Sequence, residues 1–234
     1  MNQSQILAER ANFVRKRGYN IFSQIFSDSE VSTLASELSQ SQLKRSRAGA
    51  RHILCLDPVR KIADDMRLVE IASAILEAAA IPFRATLFDK SSSSNWLVAW
   101  HQDTALPLIE KIETAGWGPW SVKEGVIHSH APRSALEQVL ALRVHLDDST
   151  SDNGPLRIIP DTHCDGVFTD SQIQERAAKS QGLECITGKG GVIAMRPLVI
   201  HASSKSENDL SRRVLHIEYA DSLEMSDGLR LAIA

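Results

Sequence analysis

At 234 residues, 43% of them hydrophobic, the chain is long enough to bury a sizeable core, and all-β barrels of this length commonly fold as one domain. With 26 basic against 29 acidic residues, a formal net charge of −3 and no long run of like charge, nothing points to nucleic acid or a membrane surface as partner. Cys55, Cys164 and Cys185 are far apart and form no Cys-x-x-Cys pair, so free thiols in a reducing compartment are expected. The first residues lack a basic segment followed by an apolar one, and no stretch approaches the roughly 18 apolar residues of a spanning helix, so the expected protein is soluble and cytoplasmic.

Residues 1–80 read as helical with one short extended entry. Ser27 and Glu30 match a capping box, and Val31, Leu34 and Leu38 follow at helical spacing, so a helix starts there. Leu68, Ile71, Ala72, Ile75 and Leu76 form an apolar stripe that must pack on something flat, with Pro82 as the expected stop. From Phe83 the pattern changes to short apolar segments between polar or glycine-containing turns. It predicts strands near 83–89, 95–101, 139–147, 155–159, 190–195, 198–201 and 213–219. Helices first and strands after argue for an antiparallel β core with helices over one face, rather than alternating βαβ units.

The chemistry gathers around Asn95-Trp-Leu-Val-Ala-Trp-His101-Gln-Asp103. In an extended segment His101 and Asp103 share a face, as two ligands of a 2-His-1-carboxylate iron site must. His-x-Asp alone is a weak signal. The third candidate is His201, which ends the apolar run Leu198-Val-Ile and is followed eleven positions later by Arg212. Between the early and late strands lies an insertion, 104–137, and one so long in a compact domain is usually functional. It is expected to form a lid over the metal site. Trp117 and Trp120 either offer apolar contact to a substrate or anchor the insertion itself, and His128 is a further candidate for substrate contact. His52 and His130, like His128, show no partnered ligand spacing.

With Trp100-His-Gln-Asp103, Asp152-Asn-Gly-Pro-Leu156, Ile159-Pro-Asp-Thr-His163 and Arg196-Pro-Leu-Val-Ile-His201 in that order, the chain resembles the phytanoyl-CoA dioxygenase family of iron(II)/2-oxoglutarate oxygenases, from about Gly18 to Tyr219. The resemblance implies a mainly β double-stranded β-helix, a cupin-like jelly-roll barrel with flanking helices. It implies a dioxygenase that hydroxylates a small molecule with release of succinate and CO2, using Fe(II), 2-oxoglutarate as cosubstrate and O2, with ascorbate as an aid in vitro. His101, Asp103 and His201 match the family's iron ligands. A carboxylate at Asp103 points to hydroxylation or a kindred oxidation, since related halogenases carry a small residue there.

Arg212 matches the arginine that holds the distal carboxylate of 2-oxoglutarate, a role suited to a rigid guanidinium fork. Arg213 competes with it. Strand alternation puts Arg213 in phase with Leu215, Ile217 and Tyr219, and Arg212 with Val214 and His216, so helices over the outer face would leave Arg212 inside. Ser203 matches a hydroxyl that assists the same carboxylate. Asn95 faces the cavity if its strand is regular, or else is a strand-start turn residue. Arg143, with His145 on its face, matches a position beside the cosubstrate or is a partly exposed edge arginine. Asp161 stands where the family usually has glycine, and His163 is expected to make a structural hydrogen bond. A reading from another class remains, a non-catalytic cupin-like barrel that binds a small acid as a sensor. A metal-dependent hydrolase is weaker, because no general base can be placed beside the metal. Neither the primary substrate nor the oligomeric state is legible.

Overall fold

The computed structural model describes residues 2–46, 49–91, 94–225 and 228–234. Helix α1 (Gln3–Arg17) ends at Gly18, whose left-handed φ of 83° turns the chain into β1 (Tyr19–Phe22). Helix α2 (Asp28–Gln40) starts on the expected capping box, with the Glu30 carboxylate accepting the Ser27 N–H at 2.8 Å. After β2 (Gly49–Ala50) come α3 (Asp57–Ala63) and α4 (Met66–Leu76), whose buried Leu68, Ile71, Ala72 and Ile75 are the predicted stripe.

The strands follow: β3 (Ile81–Lys90), β4 (Val98–His101), β5 (Ala105–Leu108), β6 (Trp120–Lys123) and β7 (Val126–His130). Past the short α5 (Arg133–Leu136) lie β8 (Val139–His145), β9 (Leu156–Ile159), α6 (Asp170–Lys179), β10 (Leu183–Cys185), β11 (Val192–Met195), β12 (Ile200–Ser203) and β13 (Arg212–Ala220). Pro82 does not stop α4, contrary to expectation. The helix closes at Glu77 in the left-handed region (φ 59°), and Pro82 lies inside β3. It is tolerated because the pairing with β13 slips between Glu218 and Tyr219, the residue opposite Pro82.

Strands β1, β11, β8, β13, β3 and β2 form one antiparallel sheet in that order, and β10, β9, β12 and β4 a second. The two face each other as a jelly roll: Ile193 and Met195 of the first pack on Leu156, Ile158 and Cys185 of the second. On the outside of the larger sheet, Leu140, Leu142, Val144, Leu215, Ile217 and Tyr219 join the apolar sides of α1–α4. Each such side chain contributes about 1.5–3 kcal/mol on burial, so the helical layer is integral to the barrel. The Tyr219 hydroxyl also donates to the Ala63 carbonyl at 2.8 Å. Alternation then sends Arg143, His145, Arg212, Val214 and His216 to the inner face.

Segment 104–137 folds as a sheet of its own, β5-β7-β6, followed by the short α5. Its Leu106, Leu108, Trp117 and Leu136 cluster with Phe83, Met225, Leu229 and Leu231, and the C-terminal strand-like tail clamps it through Ala232 N–H to the Pro107 carbonyl at 3.0 Å. Trp117 is 7% exposed inside this cluster and Trp120 packs against it, so both tryptophans anchor the segment. The three cysteines are free, and among the described residues no helix is long and apolar enough to cross a membrane.

Candidate metal centre

Strands β4 and β12 are antiparallel neighbours with His101 directly opposite His201, which brings their ring centroids to 4.2 Å. Just past β4 the Asp103 N–H donates to the Pro197 carbonyl at 2.9 Å, and the carboxylate turns toward both rings: Oδ1 is 3.6 Å from His101 Nε2 and Oδ2 is 3.5 Å from His201 Nε2. Gln102 points the other way and fastens the motif to the body of the protein. Its Nε2 donates to the carbonyls of Gly166 (2.9 Å) and Leu198 (2.7 Å), and its Oε1 accepts the Phe168 N–H at 2.8 Å.

The imidazole tautomers follow from the partners. Each Nδ1 meets a backbone carbonyl two residues back, Ala99 at 2.8 Å for His101 and Val199 at 2.9 Å for His201. A carbonyl can only accept, so the proton sits on Nδ1 and the Nε2 lone pairs face the carboxylate. The ligand atoms of the three residues lie within 4.8 Å of one another. Burial pushes His201 down to about 4 against the pull of Asp103; for Asp103 burial works upward, but the two imidazoles hold it well below the usual carboxylate range. His101 is lowered by burial and raised more by Asp103, ending above its ordinary value. An ionised carboxylate and two Nε2 lone pairs on one face fit a divalent iron, and three protein ligands leave positions open for other groups.

Beside the triad lies a narrow cavity of about 100 Å³. Arg212 and Lys90, register partners on β13 and β3, enter it next to Ser203. Arg212 Nη2 donates to Ser203 Oγ at 3.2 Å and its Nε to the Asn153 carbonyl at 3.3 Å. Lys90 Nζ donates to Ser203 Oγ at 3.0 Å and to the Ser204 carbonyl, while Ser203 itself donates to the Gly154 carbonyl at 2.8 Å. Arg143 enters from β8 with Nη1 donating to His216 Nδ1 at 3.0 Å, and its buried Nε has no partner among the described residues. Burial and Arg212 push Lys90 down to about 7, and burial and Arg143 lower Arg212 to about 10. Three buried cations facing one acid, Asp103, make a cavity short of negative charge, which suits a dicarboxylate.

Arg213 lies outside this cavity, forked on Asp147 at 2.7 and 2.8 Å. Asn95 does not reach it either, a departure from the expectation for a regular strand. Its amide donates to the Ser206 carbonyl at 2.8 Å and accepts the Ser206 N–H at 2.7 Å. β4 begins at Val98, and its pairing with β12 slips between His201 and Ser203, so alternation counted back from His101 fails. Lys90 is a residue that sequence reasoning missed, because a strand-end lysine reads as solvent-facing. His163 donates from Nε2 to the Arg15 carbonyl at 2.9 Å, and Asp161 occupies the left-handed region at φ 71°, where glycine is the easier residue.

A second, wider cavity of about 340 Å³ opens on the other side of His101 and Asp103. His128 is part of its wall, 1% exposed, with Nδ1 donating to the Val126 carbonyl at 3.0 Å and burial pushing it down to about 4. Trp117 and Trp120 are absent from the linings of both cavities.

Over residues 14–214 the chain matches the phytanoyl-CoA dioxygenase (PhyH) family. It is 28% identical over 133 residues to the L-proline trans-4-hydroxylase of Streptomyces griseoviridis, a match covering 46% of this chain and 49% of that protein. The chain thus spans about half the length of the curated relative it matches. The epimerase SnoN, solved with Fe3+, alpha ketoglutarate and nogalamycin RO, superposes with a TM-score of 0.71 at 16% identity, covering 94% of this chain and 86% of that one. EctD from S. alaskensis, solved with 2-oxoglutarate and 5-hydroxyectoine, gives 0.69 at 18% identity over 94% and 76%. At these identities the two solved structures speak for the fold. The family match over most of the sequence, on a jelly roll that gathers two histidines and an aspartate, places this chain in the phytanoyl-CoA dioxygenase family.

Proposed function

We propose that the protein is a non-haem iron(II)- and 2-oxoglutarate-dependent dioxygenase that hydroxylates a small molecule and releases succinate and CO2. The observation that carries this reading is the adjacency of two sites: a triad with both Nε2 lone pairs on one side, and a cation-lined cavity that shares His101, Asp103 and His201 with it. In this reading His101, Asp103 and His201 hold the iron, which when bound supplies the centre for activating O2 against 2-oxoglutarate. Arg212 forks onto the far carboxylate of 2-oxoglutarate, and Ser203 and Lys90 bond the same end. Arg143 covers the flank. The balance of the reaction is one oxygen atom into a substrate C–H bond, giving the alcohol, and the other into succinate, as 2-oxoglutarate loses CO2.

Phe88, His101 and Asp103 belong to the walls of both cavities, so a molecule in the wider one lies beside the triad without entering the cosubstrate's place. The curated relative is named for L-proline, which makes that compound a rational first substrate to test. The test is succinate formation from 2-oxoglutarate with iron(II) and ascorbate, with and without candidate substrates. Succinate released in step with a hydroxylated product is the expected result. Iron-loaded protein that forms no succinate under any of these conditions favours a small-acid sensor instead.

A further inference from the structure

The wider cavity carries an excess of cations at its mouth that the proposed reaction does not explain. At about 340 Å³ it sits near the small end of ligand sites, which run to roughly 300–1,000 Å³. Phe88 and Ala105 are the apolar residues of its wall, and everything else there is polar or charged. A long hydrocarbon chain would find only a small, interrupted apolar surface to bury against.

Its two acids are already engaged. Asp103 belongs to the triad, and Glu218 is forked by Arg84, with Arg84 Nη2 to Oε1 at 2.6 Å. Arg51 and Lys123 are left at the mouth. Arg51 has Glu124 no nearer than 3.9 Å, and among the described residues Lys123 has no carboxylate within ion-pair distance. With Arg84 they put three cations in the wall of one opening.

The fold builds this mouth deliberately from distant segments. A tight turn at Glu124 and Gly125, with φ of 51° and 85°, swings β6 and β7 over the segment at 51–52. His52 Nε2 then donates to the Lys123 carbonyl at 3.1 Å, and its ring tilts over His128 with centroids 5.4 Å apart. Arg51, whose carboxylate partner stands at 3.9 Å, and Lys123, with none in ion-pair reach among the described residues, are like charges that a bridging anion would hold together, and an arginine fork beside an ammonium is a good match for a carboxylate or phosphate group.

We propose that the wider cavity binds a small polar substrate through an oxyanionic group, carboxylate or phosphate, held at the mouth by Arg51 and Lys123 with the rest of the molecule lying inward toward His101 and Asp103. The inward half of this statement rests on the oxygenase reading. The anion grip does not.

The test is anaerobic isothermal titration calorimetry on the full chain, saturated with iron(II) and 2-oxoglutarate so that the narrow cavity is filled, and repeated on metal-free protein. The probes are matched pairs: small carboxylic acids with their primary amides, such as 3-hydroxybutyrate and 3-hydroxybutyramide, and phosphate monoesters with their parent alcohols, such as glycerol 3-phosphate and glycerol. Anionic members should bind and neutral partners should bind roughly tenfold to a hundredfold more weakly. The Arg51→Gln/Lys123→Gln double variant should lose the same factor while Arg213→Ala, outside both cavities, keeps the binding. Both replaced side chains are solvent-exposed, and a thermal melt checks that the variant is folded. Which arm responds identifies carboxylate or phosphate. Neutral members binding as well as anions, a double variant that keeps their affinity, or no binding by any member overturns the proposal. If anions bind through Arg51 and Lys123 but the iron and 2-oxoglutarate complex never forms, the oxygenase reading fails and the anion site stands.

Discussion

Arg212 and Arg213 are adjacent in sequence and opposite in fate. Arg212 is 4% exposed in the narrow cavity on Ser203, and Arg213 forks onto Asp147 at the protein's outer side. Replacing Arg212 with alanine should weaken 2-oxoglutarate binding roughly tenfold to a hundredfold, the loss of a charge-assisted hydrogen bond. Arg213→Ala should leave that affinity unchanged and lower stability by about 1 kcal/mol or less, as for a partly exposed ion pair. Anaerobic ligand titration and urea unfolding read the two effects separately. Alternation along the sequence was enough to separate these arginines, because the irregularity of β13 falls later, between Glu218 and Tyr219. The same rule misplaced Asn95, since a slip lies between it and the histidine from which the count began. Lys90 gives a pH signature. Its proton affinity is lowered to about 7 by burial and Arg212, whereas the unfolded chain holds the proton up to the ordinary lysine range. Below about 7 the ligand-free protein carries the full penalty, and raising the pH from there toward 10 relieves it. Thermal melts across that interval should show wild type gaining on Lys90→Met, and saturating 2-oxoglutarate should flatten the difference.

Short elements set the site's tolerances. The Asn153-Gly154 turn supplies two carbonyls to the anchor, Asn153 to Arg212 and Gly154 to Ser203. Gly154 sits at φ +68°, and a Cβ there would press on the Ser204 carbonyl and the Lys90 ammonium. Gly154→Ala should therefore destabilise the fold by about 2 kcal/mol or more and weaken 2-oxoglutarate binding in the same variant, as read by chemical unfolding and by titration. The β5-β7-β6 sheet shows why some elements escaped the sequence. β6 is exposed along most of its length, β5 contains Pro107, and Gly116-Trp-Gly-Pro-Trp120 reads as a loop. Their pairing is dictated by the apolar cluster beneath, formed with residues more than a hundred positions away at the C-terminus. Pro82 was misread for a related reason: Glu77 had already closed α4 by turning left-handed, and the bulge opposite Pro82 is a property of β13.

At the scale of the whole molecule, helices followed by strands made the architecture legible, because a sheet whose outer face carries Leu215, Ile217 and Tyr219 needs the α1–α4 layer to cover it. The wider cavity was not legible, because its wall is drawn from residues near 51, 84, 103, 128 and 217 that no local pattern connects. Iron and cosubstrate that bind the folded barrel and not the unfolded chain stabilise it by about 2.7 kcal/mol at a hundredfold excess over Kd. For a chain of this size that raises Tm by roughly 5–10 °C, and Asp103→Ala should lose most of the rise in the same scanning experiment. The most direct test of the central assignment is anaerobic titration of iron(II) into the protein with 2-oxoglutarate present, followed by equilibrium dialysis and by the visible charge-transfer absorption of the complex. Wild type should bind iron one to one with the band, and Asp103→Ala should show neither tight iron nor the band. Iron held as tightly by Asp103→Ala as by wild type would contradict the assignment of His101, Asp103 and His201.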